Sequence, residues 1–186
     1  MTTATLTAPA KASARAVPKK PGRLTLDTLH NMTFAELDAL YRSAPAPDSI
    51  AALDGEPQGR MLALKDTKNG PLAKFARNFS QSANFPWMGK NFTSLGKDRG
   101  EGINRINLLG RARRQWFRFE TSFQPSLIDG KPCFQLDYGL ASNPPGIRHI
   151  IDELREVDEG LYLGPAQLVI AGREPVTVLY FGISQQ

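Results

Sequence analysis

Short strand-like segments separated by turn residues fill the sequence from residue 87 to its end. Six of them read WMGKNFT, GINRINLL, RQWFRFETSFQPS, PCFQLDYG, LYLGPAQLVIAG and PVTVLYFGISQ, and GRMLAL at residues 59–64 adds a seventh. Such segments pair as antiparallel neighbours, and a sheet of this length removes its unpaired edges by closing on itself. The sequence predicts a mainly β fold with helices, built on an antiparallel, closed β-barrel of about seven or more strands. A β-sandwich that carries helices is the alternative.

Three segments have helical rather than strand periodicity, and we expect three helices that pack against or cap the barrel. The first begins at Thr33, which has the capping-box spacing to Glu36. The second is predicted over residues 71–82 and the third over residues 144–157. The third carries an apolar stripe at i, i+3, i+4 and i+7, formed by Ile147, Ile150, Ile151 and Leu154.

The positive charge of the chain belongs to its N-terminal tail. Residues 1–26 contain five Lys or Arg residues and no acid, so the remaining 18 basic residues balance the 18 acidic ones. A segment rich in Ala, Thr, Pro and Lys buries too little apolar surface to order itself, and we expect it to be disordered. Its charge favours weak contact with nucleic acid or an anionic surface, and its composition also suits a transit peptide or a plain solubilising leader.

The remaining chain divides into an N-terminal helix and linker at 27–56 and a β-barrel domain at 57–186, which includes the predicted helices 71–82 and 144–157. A single cysteine, Cys133, excludes an internal disulfide, and no secretion signal is recognisable. Apolar runs fall far short of the roughly 20 residues that a membrane span needs. We therefore expect a cytoplasmic protein without a membrane span.

Each predicted strand has one apolar and one mixed face, because successive side chains alternate. The apolar faces hold Ile106, Leu108, Phe117, Phe119, Phe123, Phe134, Leu136, Tyr138, Leu168, Ile170, Leu179, Phe181 and Ile183. One interpretation packs the apolar faces under the helices and lines a cavity with the mixed faces. The plainer alternative is a half-solvated sheet whose mixed faces meet water.

The cavity interpretation makes the protein a barrel that binds an apolar or amphipathic, lipid-like small molecule, with no cofactor. An arginine of the mixed faces would then pair with an acidic head group of the ligand. The candidate ligand-binding residues are Arg105, Trp116, Arg118, Glu120, Asp137 and Tyr180.

A metal-independent enzyme of the isomerase or cyclase type is the second hypothesis. In the predicted helix, Glu153 lies one turn after His149 and would orient it for proton transfer, with Asp137 nearby. A solvated helix face with weak ion pairs is the plain alternative. The chain has two histidines and no metal-ligand spacing, so we expect no metal site. A third hypothesis is an interaction module recruited through residues 1–26.

Six short pieces of residues 57–186 resemble pieces of a group of uncharacterised bacterial proteins. They read Gly-Lys-x-Phe, Asn-Arg-Ile, Asp-Gly-Lys, Leu-Asp-Tyr, Ile-Arg-x-x-x-Asp-Glu and Gly-Leu-Tyr-Leu-Gly. This resemblance implies no particular activity. More loosely, the layout is similar to the barrels of lipocalins and calycins, which hold small apolar ligands; this likeness implies a fold and not a function.

Overall fold

The computed structural model of the protein describes residues 22–65, 87–108 and 112–185. The predicted helix at 71–82 and residues 1–21 of the predicted tail lie outside these ranges. The described residues form two α-helices, two short 3₁₀ helices and eight strands. The helices are α1 (Leu26–His30) and α2 (Phe34–Ser43), and the 3₁₀ helices are Ile50–Leu53 and Ile147–His149.

The described strands form one closed barrel in which each strand pairs antiparallel with the next along the chain. The strands are β1 (Gln58–Leu64), β2 (Trp87–Ser94), β3 (Arg99–Leu108), β4 (Ala112–Pro125), β5 (Pro132–Asp137), β6 (Ile150–Asp158), β7 (Leu161–Leu168) and β8 (Val176–Ser184). Strand β8 returns to β1, where Gln58 pairs with Ser184 and Leu64 with Leu179, and this pairing closes the sheet. The predicted antiparallel closed barrel is confirmed, with eight strands.

The predicted helix at 144–157 is wrong, because residues 150–158 form strand β6. Both faces of this strand are buried: Asp152 and Leu154 point into the barrel, while Glu153 and Arg155 lie beneath α2. A strand buried on both sides shows no alternation of apolar and polar residues. Its isoleucines and leucine therefore matched the helical spacing without forming a helix.

The predicted first helix is confirmed as α2, and its capping box is present. The Thr33 hydroxyl accepts from the Glu36 backbone N–H at 3.3 Å, and the Glu36 carboxylate accepts from the Thr33 N–H at 2.8 Å. Helix α1 was not expected from the sequence, and its N-cap, Thr25, falls within the last residues of the expected tail. The prediction of three helices is thus not matched: one is present, one is a strand and one lies outside the described ranges.

The apolar faces of the strands point into the barrel, not toward the helices. Phe119 and Phe134 are fully buried inside it, together with Ile50 and Leu53 of the first 3₁₀ helix, which close one end. A second core lies outside the barrel, between the two α-helices and the strands. It consists of Leu29, Leu37, Tyr41, Leu62, Leu161, Leu163 and Tyr180.

Arg155 ties α2 and the β4–β5 turn to the barrel wall. Its fully buried guanidinium donates to both carboxylate oxygens of Asp129, at 2.7 and 2.9 Å, and to the backbone oxygen of Tyr41 at 3.2 Å. These hydrogen bonds from Arg155 lower the pKa of Asp129 to about 2. Asp129 lies in the turn between β4 and β5, which spans residues 126–131, and of these residues only Gly130 has a positive φ, of 70°.

Replacing Arg155 with Met should lower the free energy of unfolding by about 3 kcal/mol, because Asp129 is left in a mostly buried position without its cation. Urea unfolding followed by circular dichroism measures the change. Arg60→Met is the matched control, since the Arg60–Asp27 pair is exposed and such pairs contribute at most about 1 kcal/mol. Equal losses from the two variants would contradict a tying role for Arg155.

Candidate functional site

A cavity of about 390 Å³ occupies the half of the barrel away from Ile50 and Leu53. It lies at the end where β1 and β3 finish and where β2 and β4 begin. The volume falls within the range of small-molecule sites, and the wall is mainly apolar. The lining residues are Met61, Trp87, Lys90, Asn104, Ile106, Phe117, Tyr138, Ile147, Ile150, Asp152, Ala166, Leu179 and Phe181.

Four polar side chains from four parts of the barrel meet in this cavity, and we call them the polar floor: Lys90, Asn104, Tyr138 and Asp152. All four are buried, with exposed fractions of 2, 7, 4 and 4%. The Lys90 ammonium lies 2.9 Å from Asp152 Oδ2 and 3.0 Å from Asn104 Oδ1, and it also donates to the Tyr138 hydroxyl. The floor is therefore built around a buried ion pair.

The remaining hydrogen bonds of the polar floor fix the orientation of its amide and hydroxyl groups. Tyr138 donates to Asp152 Oδ2 at 3.1 Å, and Asn104 Nδ2 donates to the Tyr138 hydroxyl at 3.0 Å and to the Phe117 carbonyl at 3.2 Å. The Trp87 indole N–H donates to Asn104 Oδ1 at 2.9 Å. Among the side-chain oxygen and nitrogen atoms of the floor, only Asp152 Oδ1 has no hydrogen-bond partner in the described residues.

Aromatic rings surround the Lys90 ammonium. The centroids of Trp87, Phe119, Tyr138 and Phe181 lie 5.1 to 5.4 Å from Nζ, within the range of cation–π attraction. Burial lowers the pKa of Lys90, while the charge of Asp152 partly offsets that change. Burial and the same charge raise the pKa of Tyr138 well above its usual value. The floor is thus a buried group of proton donors and acceptors that are joined by hydrogen bonds and lie in an apolar cavity.

A strained residue helps to form the cavity wall. Phe117 has a φ of 60° and is the one non-glycine residue in the described ranges with a positive φ. Arg118 pairs with Ile103 while Trp116 pairs with Asn104, so Phe117 is the extra residue of a β-bulge. A bulky residue in this conformation costs about 1–3 kcal/mol. The bulge places the Phe117 side chain in the cavity and its carbonyl against Asn104.

The six residues predicted to bind a ligand do not line the cavity. Trp116 is 44% exposed, and Arg118 is exposed and contacts Glu101 at 3.2 Å. Glu120 and Asp137 are exposed neighbours on adjacent strands.

The two other predicted ligand-binding residues have structural contacts. Arg105 donates to the carboxylate of Glu56 at 3.2 Å and to the backbone oxygen of Pro57. Tyr180 lies in the core outside the barrel and donates to Asp38 at 2.7 Å. The expectation that the mixed faces line the cavity is wrong, because these faces point outward; a binding role for the six residues stays a prediction.

The three predicted catalytic residues are not joined by any hydrogen bond within the described ranges, and none lines the cavity. His149 is exposed at the end of its 3₁₀ helix. Glu153 is fully buried on the outer side of β6 and accepts from Ser126 and from the Leu127 N–H, each at 2.6 Å. Asp137 accepts from a neighbouring backbone N–H on the surface. Their catalytic role stays a prediction.

The polar floor was not among the sites expected from the sequence, although the sequence contains a signal for it. The four residues fall in four of the six pieces named above, in GKNF, NRI, LDY and IRHIIDE. In β3 and β6 the polar residue also interrupts an apolar face, since Asn104 precedes Ile106 by two residues and Asp152 lies between Ile150 and Leu154. A polar residue on an apolar strand face is a buried polar group, which needs partners.

Over the ranges 22–65, 87–108 and 112–185, no group of three or more His, Cys, Asp or Glu residues is placed to hold a metal ion. In the same ranges, no helix has the length and apolar character required to cross a membrane.

Comparisons with known proteins support the fold alone. No protein-family model matches the chain, and no curated protein matches its sequence. A crystal structure of a protein from Thermomonospora curvata is similar, with a TM-score of 0.52 and 18% identity over 82% of this chain and 87% of that one. The barrel therefore has a structural neighbour, while the resemblance of the six pieces to a bacterial group stays a prediction.

Phe117→Gly should be more stable than Phe117→Ala by about 1 kcal/mol, because only glycine adopts a positive φ without steric cost. Both variants lose the same aromatic ring, so the difference between them isolates the backbone. At Phe119, whose φ is not positive, the order should reverse, since glycine weakens an ordinary strand by about 0.5–1 kcal/mol. Denaturant unfolding of the four variants provides the comparison, and the same order at both positions would argue against strain.

Lys90→Met and Asp152→Leu should each lower the free energy of unfolding by about 3–5 kcal/mol, because each leaves one buried charge without its partner. The double variant should recover most of that loss, since an apolar pair of similar volume replaces an ion pair at little cost. Chemical denaturation of the three variants gives the coupling free energy. Additive losses would mean that the two residues do not act as a buried pair.

Proposed function

We propose that the protein binds a small apolar or amphipathic molecule inside the barrel. The observation on which this proposal chiefly rests is the cavity of about 390 Å³, apolar along its wall and polar at its floor. Transfer of apolar ligand surface from water to such a wall is favourable by about 25 cal/mol per Å². The few polar groups on the floor would orient the ligand.

The contrast between the two halves of the barrel supports the same proposal. Around Ile50 and Leu53 the interior is filled by packed aromatic and aliphatic side chains. Protein interiors are normally packed to this density, and voids larger than a water molecule are few. In the other half, the side chains of residues such as Ala166 leave space that larger apolar residues would fill. A barrel interior that is packed in one half and open in the other leaves room for a ligand in the open half.

The cavity volume limits the size of the ligand. At about 30 Å³ per non-hydrogen group, the share of a water molecule in the liquid, it corresponds to about a dozen non-hydrogen atoms. A short-chain lipid or a small terpenoid has this size. A long acyl chain would extend beyond the described wall.

A second candidate function is the metal-independent proton-transfer enzyme. The observation in its favour is that Lys90 and Tyr138, whose pKa values are shifted by burial, share an apolar cavity with Asp152. Shifted groups in a cavity are typical of acid–base sites. In this version the proton-transfer roles belong to the polar floor and not to His149, Glu153 and Asp137. The interaction module with a basic tail and the cytoplasmic location have no structural support and stay predictions.

Native mass spectrometry of the protein purified from cells should detect a bound small molecule that denaturing extraction releases. For protein without ligand, 1-methylnaphthalene at ten times its dissociation constant should stabilise the fold by about 1.4 kcal/mol and raise Tm by roughly 3–5 °C. Ala166→Phe fills the cavity and should abolish this rise. Ala39→Phe on the exposed side of α2 is the control and should preserve it. An unliganded mass with no Tm rise in the wild type would refute the proposal.

A further inference from the structure

We propose that the cavity selects a neutral ligand that donates a hydrogen bond, from an O–H or N–H group, to Asp152 Oδ1. This inference rests on the proposed function and names the chemical class of its ligand. It follows from a count of the donors and acceptors on the polar floor, together with the charge of the floor.

The Lys90 ammonium has no hydrogen left for a ligand. An ammonium group carries three N–H donors. Three acceptors already surround Nζ, namely Asp152 Oδ2, Asn104 Oδ1 and the Tyr138 hydroxyl. The most obvious donor in the cavity is therefore fully used by the protein itself.

The other donors of the floor are also used. Asn104 Nδ2 has two hydrogens, which bind the Tyr138 hydroxyl and the Phe117 carbonyl. The single hydroxyl hydrogen of Tyr138 binds Asp152 Oδ2, and the single indole N–H of Trp87 binds Asn104 Oδ1. The polar floor thus offers no free hydrogen to a ligand that only accepts.

One acceptor of the floor remains open. Asp152 lines the cavity with a side chain that is 6% exposed, and its Oδ1 has no hydrogen bond to any described residue. A buried carboxylate oxygen without a donor is costly. Water satisfies it poorly, because a buried water needs two to four polar partners and the floor has only this one open atom.

The charge of the floor excludes ionised head groups. The positive charge of Lys90 and the negative charge of Asp152 cancel within 2.9 Å. A carboxylate ligand would bring an unpaired negative charge beside Asp152 and would find no donor. An ammonium ligand would bring an unpaired positive charge into an apolar cavity, where isolated charges are strongly disfavoured. The proposed ligand is therefore neutral, whereas the sequence led us to expect a ligand with an acidic head group.

Two pairs of isomers test the proposal without changing the size of the ligand. Decan-1-ol and 1-methoxynonane form a flexible pair, and 3-propylindole and 3-ethyl-1-methylindole form a flat pair. In each pair only the first compound donates a hydrogen bond. Calorimetric titration of ligand-free protein at pH 7 should give an affinity at least tenfold higher for the donor isomer in every pair that binds. Decanoate should bind more weakly than 1-methoxynonane.

Asp152→Asn provides the variant test, because it places an amide donor or a weaker neutral acceptor where Oδ1 was. The tenfold preference for the donor isomer should fall to about twofold or less. Asp98→Asn, on the exposed β2–β3 turn, is the matched control and should retain the full preference. If Asp152→Asn does not fold, the ratio of the affinities of the two isomers for the wild-type protein tests the proposal on its own.

The outcomes separate this inference from the proposed function. Equal affinities within both pairs, or tighter binding of decanoate than of decan-1-ol, would overturn the donor rule and leave the binding function standing. Failure of every compound to bind would overturn both. A donor preference that Asp152→Asn leaves unchanged would place the recognised hydrogen bond elsewhere and would also refute the inference.

Discussion

Closure of the sheet between β1 and β8 determines which side chains of the strands face the interior of the barrel. Once the strand order is fixed, alternation sends one face of each strand into an interior that water reaches only through an end. The 3₁₀ helix Ile50–Leu53 closes one end with apolar side chains. Polar groups that point inward must then find their partners among themselves. The polar floor is the result: Lys90 and Asn104 lie on paired strands, and Tyr138 and Asp152 approach from the other side of the barrel.

Strand β6 shows how one stretch of sequence supports both the fold and the site. Its inner face places Asp152 in the polar floor, while its outer face places Glu153 and Arg155 beneath α2. The outer contacts with Tyr41 and Asp129 hold a helix and a turn in position. The inner ion pair joins no helix and no turn, and it occupies space that an apolar pair of similar volume would fill at little cost. The two faces therefore have different roles, structural outside and cavity-forming inside.

Much of the barrel was predictable because its information is local. The alternating apolar residues of β4, β5 and β8 indicated strands, and the spacing of Thr33 and Glu36 marked the start of α2. Strand β6 was not predictable in this way, since burial of both faces removes the alternation on which the prediction rests. Nor does alternation say which face of a strand points inward. For that reason the mixed faces, with the six candidate ligand-binding residues, were expected to line the cavity although they point outward.

The site was hidden for a different physical reason. Lys90, Asn104, Tyr138 and Asp152 are spread over more than sixty positions, and only the register of the strands and the closure of the barrel bring them together. Charged residues that cluster along the chain, such as those of the predicted helix 144–157, are easily taken for a functional site in a sequence. A lone lysine or asparagine on an apolar strand face carries more information, because burial makes such a residue costly unless a partner meets it. In a closed barrel, the three such interruptions Lys90, Asn104 and Asp152, each on a different strand, indicate a shared interior site more directly than any local cluster of charges.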